Sequence, residues 1–203
     1  MCIRDRSTTT KYFRNPIVGS YGWGARTKLL GYFVRTIGPS NYPFYVPQPA
    51  ADMLPAEATP VVAAFGEAPA IRLLGYSVEQ VASTEGEGGE NAADVTLYWQ
   101  PEGRIAYPYT VFVHLLDPTG QLVAQHDSMP QQDAWPTVCW RPGEVIADTH
   151  RLTLPAGMSF DSGNLYTGLY RLDLLSQGDP NPRLPARWDG GQGNAFPLRL
   201  QQE

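Results

Sequence analysis

From Ile71 to the C-terminus the apolar residues fall at every second position, in short runs cut by glycine, proline and asparagine. A spacing of two puts successive side chains on opposite faces of an extended chain, so each run can bury one face of a strand. Ile71–Gln80 is such a strand. In Asp94–Gln100, Val95, Leu97 and Trp99 share a face. In Tyr109–Asp117, Val111, Val113 and Leu115 alternate with Phe112, His114 and Leu116. Both of its faces are apolar, so this strand is expected at the centre of a sheet, covered on both sides. Pro118-Thr119-Gly120 is a tight turn into Gln121–Asp127, which makes a hairpin. A long loop, Ser128–Gly143, leads to Glu144–Leu154, then Leu165–Ser176 and a short last strand, Phe196–Leu200. Roughly seven or eight short strands with turn residues between them predict an all-β fold. The pattern suits a two-layer antiparallel β-sandwich of jelly-roll or immunoglobulin-like type.

Glycine and proline, at 20 and 19 residues, suit a turn-rich chain better than a helical one. Pro39, Pro43, Pro47, Pro49, Pro55 and Pro60 crowd the region before the sandwich. Residues 39–65 are therefore expected to form an extended, semi-rigid linker. An irregular N-terminal extension at 7–38 precedes it, and the sandwich domain occupies 66–203. Within the extension, Lys28–Val34 reads as a short strand and echoes Arg72–Val78. The opening Met1-Cys2-Ile3-Arg4-Asp5-Arg6 resembles a translated adaptor leader found on reading frames from metagenomic assemblies. That resemblance implies that residues 1–6 are an artefact on a fragment whose natural N-terminus lies upstream. Cys2 then drops out, and Cys139 is left as a lone thiol, with no disulfide framework and no metal-type cysteine spacing.

A net charge of −5 offers nothing to a phosphate backbone, so nucleic acid is not expected as a partner. No apolar run reaches the roughly 18 residues of a membrane span, so no transmembrane segment is expected in this chain. The chain has no Gly-x-Ser-x-Gly elbow and no glycine-rich phosphate loop after a strand; Gly88-Gly89 and Gly190-Gly191 read as turns. Asp94, Asp127, Asp133, Glu144 and Asp148 supply carboxylate pairs of the sort a glycoside hydrolase needs. Carboxylates in turns are common, however. The chain is read as non-catalytic, without cofactor or metal, and a small hydrolase is a minor alternative.

The loop Ser128–Gly143 is long for a compact domain, which marks it as functional or tightly packed. Trp135, Trp140 and Arg141 lie in it, Asp127 just before it, and Asp148 and His150 just after. Tryptophan faces stack on sugar rings, while Asp and Arg bond to hydroxyls. These six residues are the candidate ligand-binding set, with a glycan as ligand. In the competing structural reading, Trp140 plugs the end of the sandwich, and Asp127 and Asp148 accept N–H bonds from turn backbones. The histidines, His114, His126 and His150, are read first as hydrogen-bonded structural residues. His126-Asp127 with Asp148 and His150 alternatively form a metal or acid–base cluster.

Several blocks occur in a set order: Val95–Gln100, Tyr109–Asp117, Gln125–Pro130, Trp140–Glu144, Asp148–His150 and Gly168–Tyr170. Phe65-Gly66 and Leu73-Leu74-Gly75-Tyr76 precede them. The set resembles the C-terminal β-sandwich domain of large bacterial membrane proteins of Chloroflexi type. Those proteins are similar to family 39 glycosyltransferases, the mannosyltransferase-like group. The resemblance spans about residues 60–200. It implies a non-catalytic, extracytoplasmic accessory domain, tied to the membrane through its parent, with glycan or the parent's membrane domain as partner. None of the parent's catalytic residues falls in this chain. A free-standing carbohydrate-binding or adhesion module is the alternative.

Overall fold

The computed structural model describes residues 33–37, 40–44, 54–68, 71–81, 91–154, 160, 163–180 and 182–199. The chain divides into two compact units, Met1–Ala50 and Ala51–Glu203. In the first, β1 (Phe33–Ile37) and β2 (Ser40–Phe44) pair antiparallel. Only Phe33 and Val34 of the expected strand Lys28–Val34 fall in β1; residues 28–32 lie outside the described residues.

The second unit is an all-β sandwich of two antiparallel sheets. The larger contains β3 (Thr59–Phe65), β4 (Ile71–Val81), β5 (Ala92–Pro101), β8 (Ile146–Thr153), β10 (Ala186–Trp188) and β11 (Gly191–Gly193), in the order β11-β10-β3-β4-β5-β8. The smaller contains β6 (Thr110–Leu116), β7 (Leu122–Ser128), β9 (Asn164–Tyr170) and β12 (Phe196–Leu198), in the order β12-β9-β6-β7. β6 lies between β9 and β7, the central place that its two apolar faces predict.

The period of two decides the core. Val95, Leu97 and Trp99 of β5 point inward and are fully buried, as are Val111 and Val113 of β6. Phe65 meets Trp99 edge to face at 5.4 Å. Burying each such side chain contributes about 1.5–3 kcal/mol. The opposite face of β5 is polar and paired across the sheet. Asp94 accepts two hydrogen bonds from Arg151 at 2.9 and 3.2 Å, and the Thr96 and Thr149 hydroxyls meet at 2.9 Å.

Four expectations change. The stretch 39–65 is not all linker, because β3 is an interior strand between β10 and β4. Its proline is tolerated because Pro60 sits beside the register shift between Pro60 and Ala63. Leu54 packs over Gly75, where a Cβ would come within 2.8 Å of the leucine Cδ1. The strand expected at Leu165–Ser176 stops at Tyr170. The chain turns there into a short helix, α1 (Leu172–Ser176), and returns so that Arg183 bridges to Tyr170. The hairpin β10–β11 was not anticipated, although Asp189-Gly190 between Trp188 and Gly191 is a two-residue turn signal. Finally, Cys139 is disulfide-bonded rather than a lone thiol; the chain's other cysteine, Cys2, lies outside the described residues. Among the described residues, no helix is long and apolar enough to cross a membrane.

Candidate functional site

Six residues stood as candidates, and the fold separates them. Trp135 and Trp140 are each only 3% exposed and belong to the core. The Trp140 indole N–H donates to the Trp135 carbonyl at 3.1 Å. Between them, a turn of 3₁₀ helix (Thr137–Cys139) buries Thr137. The Thr137 hydroxyl donates to the Tyr107 carbonyl at 2.8 Å and accepts the Tyr109 N–H at 3.0 Å. The loop is therefore long because it is packed. Its tryptophan faces are spent on the core and are not offered to a sugar. Arg141 is exposed at the far end of the loop, where its backbone N–H donates to Glu144.

Asp148 and His150 share a face of β8, as their spacing requires, but that face points inward. Both are fully buried. Asp148 accepts the Gln131 backbone N–H at 2.7 Å and pairs with His150 Nε2 at 2.9 Å. His150 Nδ1 lies 2.9 Å from His126 Nδ1 on the neighbouring β7. Burial, and then the charge of His150, lower the proton affinity of His126, while Asp148, Asp127 and Asp133 oppose that shift. Gln131 begins a turn in which Gln131, Gln132 and Asp133 have φ of 55°, 55° and 67°. Three successive non-glycine residues in the left-handed region cost on the order of 1 kcal/mol each. The buried Asp148 carboxylate helps hold them there. This matches the turn-anchoring reading of Asp148. Among the described residues, no group of three or more His, Cys, Asp or Glu is arranged to hold a metal ion.

Asp127 lies on the other side of β7, on the outer face of the small sheet. The registers put Asp127 opposite Phe112, and Tyr166 opposite His114. His114 and Asp127 form a 2.9 Å hydrogen bond. Tyr170 stands near Asp127 and Thr110; burial first, and then the Asp127 charge, push its pKa up to about 12. Phe112 pairs with Gly168, where a Cβ would come within 2.7 Å of the phenyl ring, so only glycine leaves room for it. Arg183 lies over the same ring, its Cζ 4.4 Å from the centroid. No carboxylate among the described residues pairs with Arg183. Phe112 is itself only 1% exposed and Tyr170 is buried, so the ring is a floor and not a stacking face. What this surface offers a ligand is the Arg183 guanidinium, the Asp127 carboxylate and the His114 imidazole, which can exchange hydrogen bonds with hydroxyls.

Of the candidate set, only Asp127 joins this surface. Phe112, His114, Tyr170 and Arg183 were not in the set. The hairpin turn at Pro118–Gly120 alone would pair Phe112 with His126; the register shift between Leu115 and Leu116 puts Asp127 there instead, and nothing local places Tyr170 or Arg183 beside them. A concave surface runs over the large sheet, lined mostly by polar groups, among them Glu57, Thr59, Glu79, Gln80 and Arg199, with Tyr98 and Val78 beside them. No protein-family model matches the chain, and neither a curated protein nor a solved structure matches it.

Proposed function

We propose that this domain is a non-catalytic, extracytoplasmic accessory module of a glycosyltransferase-like membrane protein, and that it contacts glycan through the outer face of its small sheet. The reading of parent and compartment rests on the resemblance of the ordered sequence blocks. The observation that carries the glycan contact is the polar rim over the buried Phe112 ring. Arg183 covers that ring at 4.4 Å, and beside it the exposed Asp127 carboxylate accepts a hydrogen bond from His114. A sheet face holds such groups more rigidly than a loop does, which lowers the entropy lost on binding. Phe112 and His114 come from β6, Asp127 from β7, and Arg183 from the returning chain.

The test is binding of the full chain to a glycan array, with hits quantified by calorimetry. Asp127→Ala and Arg183→Ala are expected to weaken binding at least about tenfold, roughly 1.4 kcal/mol. Arg141→Ala, away from this face, is expected to bind as the parent does. Melting curves confirm that each variant is folded. Unchanged binding by the two surface variants, or no glycan bound by the wild type, refutes the proposal.

A further inference from the structure

Where β7 meets β8, one carboxylate and two imidazoles form a chain. Asp148 takes hydrogen bonds on both oxygens, from the Gln131 N–H at 2.7 Å and from His150 Nε2 at 2.9 Å. A carboxylate used in this way only accepts, so His150 Nε2 carries a proton. The two Nδ1 atoms of His150 and His126 are 2.9 Å apart. That distance is a hydrogen bond only when one proton sits between the nitrogens. With none, two lone pairs face each other; with two, two N–H groups collide.

The same carboxylate anchors the Met129–Trp135 turn. Within the turn, Asp133 N–H donates to the Met129 carbonyl at 2.9 Å, Trp135 N–H to the Pro130 carbonyl at 3.0 Å, and Met129 N–H to the Asp133 carboxylate at 2.8 Å. From outside, Asp148 holds the Gln131 N–H, and the Gln131 side-chain amide donates to the Ala147 carbonyl at 3.3 Å. The turn is wound left-handed through three non-glycine residues. It unwinds toward ordinary backbone angles once its outside anchors let go.

We propose that Asp148, His150 and His126 form an acid-operated latch: one proton between the two Nδ1 atoms, carried by His150 and accepted by the lone pair of His126, keeps the Met129–Trp135 turn closed against the sandwich edge, and a second proton, taken up by that His126 Nδ1, releases it. His126 is the entry point, because it is half-buried while His150 and Asp148 are sealed. The charged groups acting on it are His150 and Asp148 on β8, Asp133 in the turn, and Asp127 beside it on β7. Burial and His150 hold its proton affinity below the ordinary value of 6.5, so the second proton arrives only in mild acid. Repulsion across the 2.9 Å contact then parts the rings, and His150 draws Asp148 away from Gln131.

The experiment follows the isotope-labelled full chain by NMR between about pH 7.5 and 4.5, the range over which histidine titrates. At the upper end, imidazole spectra are expected to show a protonated His150 Nε2 and a single proton on the Nδ1 pair. On acidification, the Gln131, Gln132 and Asp133 amides move with the midpoint of the His126 ring, while Val95 and Val113 in the core stay in place. In His126→Gln the side-chain carbonyl still accepts the His150 Nδ1–H but takes up no proton, so that midpoint disappears and the turn stays closed. Turn amides that ignore the His126 titration, or that move unchanged in His126→Gln, overturn the latch. Core and turn amides moving together would mark global acid unfolding and overturn it equally.

Discussion

Replacing Asp148 separates an anchoring carboxylate from mere bulk in the core. Asp148→Ala strands two donors in a fully buried place, the Gln131 N–H and the His150 Nε2–H. Each buried donor left without an acceptor costs about 1–3 kcal/mol. Breaking a buried charged pair from one side commonly costs about 3–5 kcal/mol in all. Against a typical domain stability of about 5–15 kcal/mol, that is a large fraction. In a domain of this size it corresponds to a fall in melting temperature on the order of 10 °C. Asp148→Asn is expected to behave differently. Its Oδ1 still accepts from Gln131, and its amide donates to His150 Nε2 once the ring gives up its proton there. The His150 Nδ1–H then donates to His126, and every group is satisfied for a loss of about 1 kcal/mol. Urea unfolding of the three proteins near pH 7.5 measures the difference. An Asp148→Ala loss below about 1 kcal/mol, or equal losses in the Ala and Asn variants, would refute the account of Asp148 as a double acceptor.

Gly168→Ala places a Cβ 2.7 Å from the Phe112 ring; differential scanning calorimetry should show a loss of about 1–3 kcal/mol from overpacking, with weaker glycan binding as Phe112 and Arg183 shift. Trp135→Ala removes a core side chain that is 3% exposed, so denaturation should show a loss of about 3–5 kcal/mol, whereas a freely exposed tryptophan would cost little. The folded His126 pKa lies below its unfolded value of 6.5, so the stability linked to it is complete above pH 6.5 and is lost as pH falls from there through the folded value. Urea midpoints measured across that window should decline in the wild type and decline less in His126→Gln. Ultraviolet titration should find one tyrosine ionising near 12 instead of 10, and Tyr170→Phe should remove it.

Legibility in the sequence followed the range of each interaction. The alternation in Val95, Leu97 and Trp99, and in Val111, Val113 and Leu115, sufficed to say which residues share a face, because each strand carries its own parity. The hairpin between β6 and β7 was equally local, closed by a tight turn, although its register shifts by one residue between Leu115 and Leu116. The Tyr170–Arg183 bridge was not legible, since Leu172 and Leu174 continue the strand-like alternation beyond the point where the chain turns. β3 was missed because its proline argues against a central strand, and only the irregular pairing at Pro60 with β4 removes the objection.

The candidate site divides along the same line. By itself the sequence determined that the described domain is all-β, which residues of each strand share a face, and that Asp148 and His150 lie side by side. Only the tertiary structure decided which way each face points. It turned Asp148 and His150 inward to meet His126, sealed Trp135 and Trp140 in the core, and gathered Phe112, His114, Asp127, Tyr170 and Arg183 on the outer face. The physical reason is that a period of two assigns side chains to two sides of a strand without saying which side is solvent. That choice is made when the sheets pack, where burying the larger apolar area outweighs the cost of enclosing one carboxylate and one imidazole, provided that each finds its hydrogen-bond partners.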